Sequence, residues 1–244
     1  MHSREKDRCI VGVVESSWKR SSIAVYSGTE LLHSEWIGQE LCSSASIFPA
    51  FSAALRNLSL RPADIDLFIV SQGPGSFTGV RSGIAFAQGM KLAGAQVCGV
   101  SLLSAMLDQA TSDCVCCHYI ANKTEHYVAA YASSHLCGRD STLFAAGRYW
   151  SELAAPETVE ASELGNFAER VFAPLSSAGS DTEWQFLQGE QLFGQLTPAQ
   201  ILGQAVIARM QEAGGSLFHL PLQPCYVKRV RALTLIERGK VYSG

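Results

Sequence analysis

Short apolar runs separated by polar turns dominate the first half of the chain. Cys9 to Val14 is apolar, Glu15-Ser16-Ser17-Trp18-Lys19-Arg20 is a polar turn, Ser21 to Tyr26 is apolar again, and after Ser27-Gly28-Thr29 a third run extends from Glu30 to Trp36. Runs of this length with short connections predict a meander of three strands. The period then lengthens: Ile47, Phe51, Ala54, Leu55 and Leu58 recur at helical spacing within Ser44 to Leu58, and Pro49 requires a late helix start or a kink. Pro62-Ala63-Asp64 leads into a buried strand, Ile65 to Val70, which delivers the chain to the loop Gly73-Pro74-Gly75-Ser76-Phe77-Thr78-Gly79. A helix follows from Thr78 or Gly79 to Ala93, with Gly94 as its terminator. Val97 to Val100 reads as a short strand and Ser101 as the N-cap of a helix through Gln109. The first half is therefore βββαβαβα.

The second half restarts with strands. Cys114 to Ala121 and Glu125 to Ala132 form a hairpin across Asn122-Lys123-Thr124, and a further strand is expected near Ser141 to Ala146. Helices are predicted from Glu163 to Phe172 and from Thr197-Pro198 to Ala213, the latter with proline in its first turn and Gly214-Gly215 after it. The tail from Leu217 is irregular and punctuated by proline. Division falls at residues 1–111 and 112–244. No repeat is visible by residue identity, yet both halves begin with strands and end with helices, the order of a duplicated architecture.

Composition narrows the function classes. In 244 residues, 47% are hydrophobic and 17% charged, with a formal net charge of -3, so the chain is globular and lacks the basic excess that phosphate neutralisation demands. The first residues, MHSREKDR, have no apolar segment behind them, and no run reaches membrane-spanning length, so a cytoplasmic protein with no membrane contact is expected. The eight cysteines are scattered without a disulfide framework. Cys114-Val115-Cys116-Cys117-His118 contains a CxxC spacing, but on a strand its thiols alternate between faces and do not converge on one metal.

The glycine loop raises the possibility of phosphate binding, and its spacing answers it. A Walker A loop needs Gly-Lys followed by Ser or Thr, where this chain has Gly79-Val80-Arg81; a dinucleotide fingerprint needs a glycine where Thr78 stands. The helix after the loop carries Gly79, Gly83 and Gly89, each costing about 1 kcal/mol of helix stability relative to alanine. Close packing offsets such a cost. Gly79, Gly83, Phe86 and Met90 share one face with Ala87 beside them, a surface for packing within the chain or against another subunit, with Arg81 and Lys91 as its polar rim.

Candidate catalytic groups are few. The six histidines include no pair four residues apart, so the two-imidazole helix face of a metallopeptidase is absent from the sequence. His118 and His126 lie on predicted strands and can face each other as a packed or hydrogen-bonded pair. Ser76 has no His or acid near it in sequence, and Ser76 and Thr78 fit a helix N-cap equally well. Lys228, Arg229, Arg231, Arg238 and Lys240 read as a solvated basic tail, a cluster that could also touch nucleic-acid phosphates.

The segment from Gly73 through Arg81 and on to Gly89 resembles the signature of the TsaB family. Val13-Val14-Glu15-Ser16-Ser17 with Ser22-Ile23-Ala24-Val25 is similar to that family's opening hairpin, Val100-Ser101-Leu102-Leu103 to its strand-to-helix step, and Pro224-Cys225-Tyr226-Val227-Lys228 to its C-terminal P-x-Y motif. The resemblance implies a two-lobed actin-like, ribonuclease-H-like ATPase fold whose second lobe is smaller and degenerate. It also implies a non-catalytic role in forming N6-threonylcarbamoyladenosine in tRNA, beside a TsaD-type transferase subunit and a TsaE-type ATPase.

On this resemblance Gly73, Pro74, Gly75, Ser76, Phe77 and Thr78 form the loop, and Gly79, Val80, Arg81, Gly83, Ile84, Phe86, Ala87 and Met90 the subunit interface. A homodimer is implied for the isolated chain, and tRNA is reached only through the complex. No cofactor of its own is implied, and ATP or ADP belongs, if anywhere, at the interface shared in the complex. The chain departs from the family pattern at Glu15-Ser16-Ser17, where Asp-Thr-Ser is usual. It departs again at Ala121-Asn122-Lys123-Thr124-Glu125, one residue shorter than Asp-Ala-Arg-x-Gly-Glu. An independent actin-like kinase or ATPase is the alternative reading.

Overall fold

The computed structural model describes residues 9–38, 46–137, 143–176 and 183–212. The P-x-Y motif, the basic tail, Cys42, Cys225, His2 and His219 lie outside the described residues.

The meander forms as its runs predict: β1 (Ile10–Glu15), β2 (Ser22–Ser27) and β3 (Glu30–Trp36) are antiparallel neighbours. Helix α1 (Ile47–Asn57) takes the late start, with Pro49 in its first turn where no amide donor is needed. Then come β4 (Leu67–Gly73), helix α2 (Phe77–Leu92), β5 (Gln96–Ser101) and the short helix α3 (Leu102–Ala105), which tightens into a 3₁₀ turn over Met106–Gln109. Ser101 precedes that helix, but its hydroxyl makes no cap bond. The sheet order is β3-β2-β1-β4-β5, with β4 parallel to both β1 and β5.

Among the described residues five more strands and four helices follow: β6 (Cys114–Ile120), β7 (Glu125–Ser133), α4 (Ser134–Cys137), β8 (Leu143–Ala145), β9 (Arg148–Glu160), α5 (Leu164–Ser176), β10 (Trp184–Gln188), α6 (Gly189–Leu192) and α7 (Pro198–Glu212). The second sheet has the order β10-β6-β7-β9-β8, with β6, β7 and β9 antiparallel in turn and β10 parallel to β6. Thus β9-β7-β6-β10 repeats β3-β2-β1-β4, and α5 stands between β9 and β10 as α1 does between β3 and β4. The duplication suggested by element order is present in the topology.

Side-chain alternation distributes the core in layers. Val11, Val13, Leu67 and Ile69 face the second sheet, joining Val115, Cys117 and Tyr119 and residues of α3 and α7. Val14, Phe68 and Val70 face the other way, under α1 and α2, while Cys114, Cys116 and Val128 face α5. The order is helices, sheet, helices, sheet, helix. α7 follows the second sheet in sequence but packs on β1, β2 and β4 of the first, where Gly203 lets it approach the ring of Tyr26, whose hydroxyl donates to the Gln200 carbonyl at 3.1 Å. Cys116 and Cys117, on opposite faces of β6, bear out the expectation that the thiols do not converge. Among the described residues no group of three or more His, Cys, Asp and Glu could hold a metal ion, and no helix is long and apolar enough to cross a membrane.

Candidate functional site

The loop Gly73–Gly79 carries the chain from the end of β4 into α2. Gly73 has φ 98°, the left-handed conformation that glycine supplies without strain, and its bond to Pro74 is cis. Ser76 is the N-cap of α2, its Oγ accepting from the Gly79 amide at 3.3 Å, which decides between Ser76 and Thr78. Thr78 instead offers its carbonyl to Ser82 Oγ at 2.9 Å.

What meets the loop is the turn between β1 and β2. The Ser76 amide donates to the Ser17 carbonyl at 2.7 Å, and Ser16 Oγ donates to the Gly79 carbonyl at 2.8 Å. A Cβ on Gly75 would strike the Ser17 carbonyl, one on Gly79 the Ser16 carbonyl, and one on Gly83 would stand 2.6 Å from Ser16 Oγ. The glycine spacing thus serves close backbone approach, but to this chain's own turn. Of the two kinds of packing left open for this face, the one within the chain is present at Gly79 and Gly83, against Ser16.

The second sheet closes on the loop from the other side. Tyr119 donates its hydroxyl to the Pro74 carbonyl at 2.5 Å, and Tyr127 donates to the Gly75 carbonyl at 3.4 Å. Nearby, Trp18 packs edge-on against Phe193 with ring centroids 4.7 Å apart and against Trp36 at 5.7 Å. No spacing pattern marked Tyr119 and Tyr127, because an aromatic residue on a buried strand reads first as core.

Beneath the turn, Glu15 is fully buried. Its Oε1 accepts from the Ser17 amide at 2.6 Å, the Trp18 amide at 3.1 Å and the Ser17 hydroxyl, while Oε2 has no partner. Desolvation pushes its pKa up to about 7, against the lowering effect of the Ser17 and Trp18 hydrogen bonds. Ser17 Oγ also lies 3.0 Å from Ser71 Oγ. A nucleotide's phosphates need free amides and a nearby cation at such a turn. Here the Ser17 and Trp18 amides serve Glu15, the Ser76 and Gly79 amides serve the loop contacts, Lys19 is exposed and Arg20 stacks over Trp36 at 5.2 Å.

The outer face of α2 offers a different surface. Val80, Gly83, Ile84, Ala87 and Met90 are buried within the chain, Phe86 is half-buried, and Arg81 is exposed with its guanidinium 4.9 Å over the Phe77 ring. One residue round the helix, Ala85, Gly89 and Ala93 are exposed at intervals of four, and a Cβ on Gly89 would meet nothing within 4 Å. They border an apolar groove of about 280 Å³ between α1 and α2, lined also by Phe48, Phe51, Leu55, Phe86 and Met90. Phe86 sits in an aromatic cluster, 5.5 Å from Phe51 and 5.4 Å from Phe68 between ring centroids. Phe48, which lines the groove, is 64% exposed, and Leu92, at the C-terminal end of α2, is 92% exposed. The α1 wall was missed in the sequence, although Phe48 lies just off the apolar stripe of Ile47, Phe51, Ala54 and Leu55.

Two packed sheets, with β9-β7-β6-β10 of the second repeating β3-β2-β1-β4 of the first, define the two-lobed actin-like, ribonuclease-H-like α/β class. A family model described as TsaD, tRNA N6-adenosine threonylcarbamoyltransferase, matches residues 42–154. No curated protein sequence matches the chain. Among solved structures, YeaZ from Pseudomonas aeruginosa is similar at TM-score 0.57 and 16% identity, covering 89% of this chain and 99% of that one. An uncharacterized protein with similarity to peptidase YEAZ, from the same organism, is similar at TM-score 0.60 and 17% identity, covering 90% of this chain and 100% of that one. The chain resembles TsaB-type proteins, among which YeaZ falls, in its loop motif and in its fold.

Proposed function

We propose that this chain is an accessory, TsaB-type subunit of the complex that forms N6-threonylcarbamoyladenosine in tRNA, and that it docks a TsaD-type transferase subunit in the groove between α1 and α2. The observation that carries this reading is the groove itself: apolar, walled by small residues four apart at Ala85, Gly89 and Ala93, and bordered by the exposed Phe48. Small residues at this spacing let a second helix approach closely, and aromatic rims anchor it. The choice of partner rests on the resemblance of the loop motif to the TsaB family, and the family model matching residues 42–154 supports the tie to this tRNA modification.

In the isolated chain a second copy covers the same groove, giving a homodimer that exchanges for the transferase subunit. A TsaE-type ATPase joins the assembled pair, and tRNA is contacted only through the complex, in keeping with the net charge of -3. The turn at Glu15-Ser16-Ser17 takes no nucleotide; ATP or ADP, where bound, lies at the shared interface. An independent ATPase finds less support, since its phosphate site would have to displace the contacts of Ser76 and Gly79 with this turn.

The test is reconstitution. Modification of unmodified tRNA is measured with TsaD-type and TsaE-type subunits, threonylcarbamoyl adenylate as donor, and this chain present or omitted. The proposal expects no activity from the chain alone and modification only in the full mixture. ATP turnover by the chain alone, with no effect on tRNA modification, would support the independent ATPase instead.

A further inference from the structure

We infer that His118 and His126 form a two-imidazole site for one exchangeable divalent transition-metal ion of the zinc or copper class, on the outer face of the second sheet and apart from the groove. His118 is opposite Val128, and His126 opposite Ile120, in the β6–β7 register, so the two side chains leave neighbouring strands on the same face as a diagonal pair. Their Nδ1 atoms are 3.1 Å apart, with ring centroids at 5.1 Å and planes inclined by 52°. Two nitrogens each about 2.0–2.1 Å from a tetrahedral ion stand roughly 3.3 Å apart, so a few tenths of an ångström separate this pair from a chelate.

The backbone beneath is held on both sides, by β10 next to β6 and β9 next to β7. The edge of Phe186 packs on the His118 ring at 5.6 Å and fixes its orientation.

Without metal, one Nδ1–H donates to the facing Nδ1 lone pair. Loading moves that proton to Nε2 of the same ring, both Nδ1 lone pairs then face the ion, and neither ring changes charge. His126 is half-buried, which leaves a solvent side where water completes the coordination sphere. With no third His, Cys, Asp or Glu grouped with them among the described residues, the site stays open and exchangeable, unlike a closed structural zinc site. Imidazole donors favour zinc, copper and nickel over magnesium. Because the ion ties β6 to β7 only in the folded chain, binding stabilises the second lobe by linkage.

The experiment uses the full chain, stripped with chelator. ZnCl₂ is titrated by calorimetry and CuSO₄ is followed by electron paramagnetic resonance. The expected result is one His118–His126 ion per chain, copper coupling to two imidazole nitrogens, and a zinc-dependent rise in melting temperature. His126→Asn should weaken zinc at least about tenfold, the loss already typical of altering outer-shell partners, and remove one nitrogen coupling. His118→Asn should do the same; if it fails to fold, the more exposed His126→Asn decides alone, with circular dichroism confirming its fold. Absence of saturable zinc binding, or zinc affinity and copper coupling unchanged in His126→Asn, would overturn the inference.

Discussion

Gly79 lies directly against the carbonyl of Ser16, and Ser16 Oγ donates back to the Gly79 carbonyl at 2.8 Å. This reciprocal contact joins the start of α2 to the first turn of the chain and gives the glycine loop its purpose. Gly79→Ala forces the turn and helix apart and should destabilise the protein by about 1–3 kcal/mol, as overpacking does. Gly89→Ala points into the open groove and should stabilise it by up to about 1 kcal/mol through helix propensity. Urea unfolding of both variants checks the pair; shifts of the same sign would contradict the packing assigned to the two glycines.

Glu15 makes stability depend on pH. Its folded pKa, about 7, is raised above the ordinary carboxylate value of 4.5 by desolvation, so the folded state holds a proton that the unfolded state releases first. The resulting stabilisation is complete below about pH 4.5 and is lost as pH rises through about 7. Glu15→Gln removes that dependence. Relative to the parent chain, the variant should gain stability between pH 5 and 8, by an amount on the order of a few kcal/mol. Denaturation midpoints at the two pH values provide the measurement, and a gain independent of pH would contradict the assignment.

Tyr119 ties the second sheet to the loop of the first. Tyr119→Phe keeps the ring and its packing but leaves the Pro74 carbonyl without this donor, at an expected cost of about 1–3 kcal/mol for an unsatisfied buried group. Amide exchange should quicken along the loop and β6 more than in α5. Uniform exchange rates across the chain would show that the bond does not link the sheets.

The first lobe was legible because its elements alternate cleanly between period two and period 3.6, with Gly94 and Pro49 marking the helix limits. β9 was not. Pro156 argues against a strand, yet it sits where Ala155 and Pro156 face Ala129 alone, between the pairs Val128↔Glu157 and Ala130↔Ala154, a bulge that requires no ladder donor from proline. β10, Trp-Gln-Phe-Leu-Gln, is short and half-exposed, and its place is set by pairing with β6. At the site, the glycine spacing announced close packing but not its partner. Contact between Gly79 and a turn 63 residues earlier in the chain leaves no local signal, and neither does the groove, half of which belongs to α1.

Docking in the groove is tested most directly by calorimetric titration of a TsaD-type subunit into Ala85→Arg and Phe48→Glu variants. Both positions are exposed on the groove and outside the packed core, so melting of the isolated folded chain should change little apart from any loss of self-association. The account predicts that each variant loses measurable binding and that the isolated chain becomes monomeric in sedimentation. Unchanged affinity in both variants would contradict it.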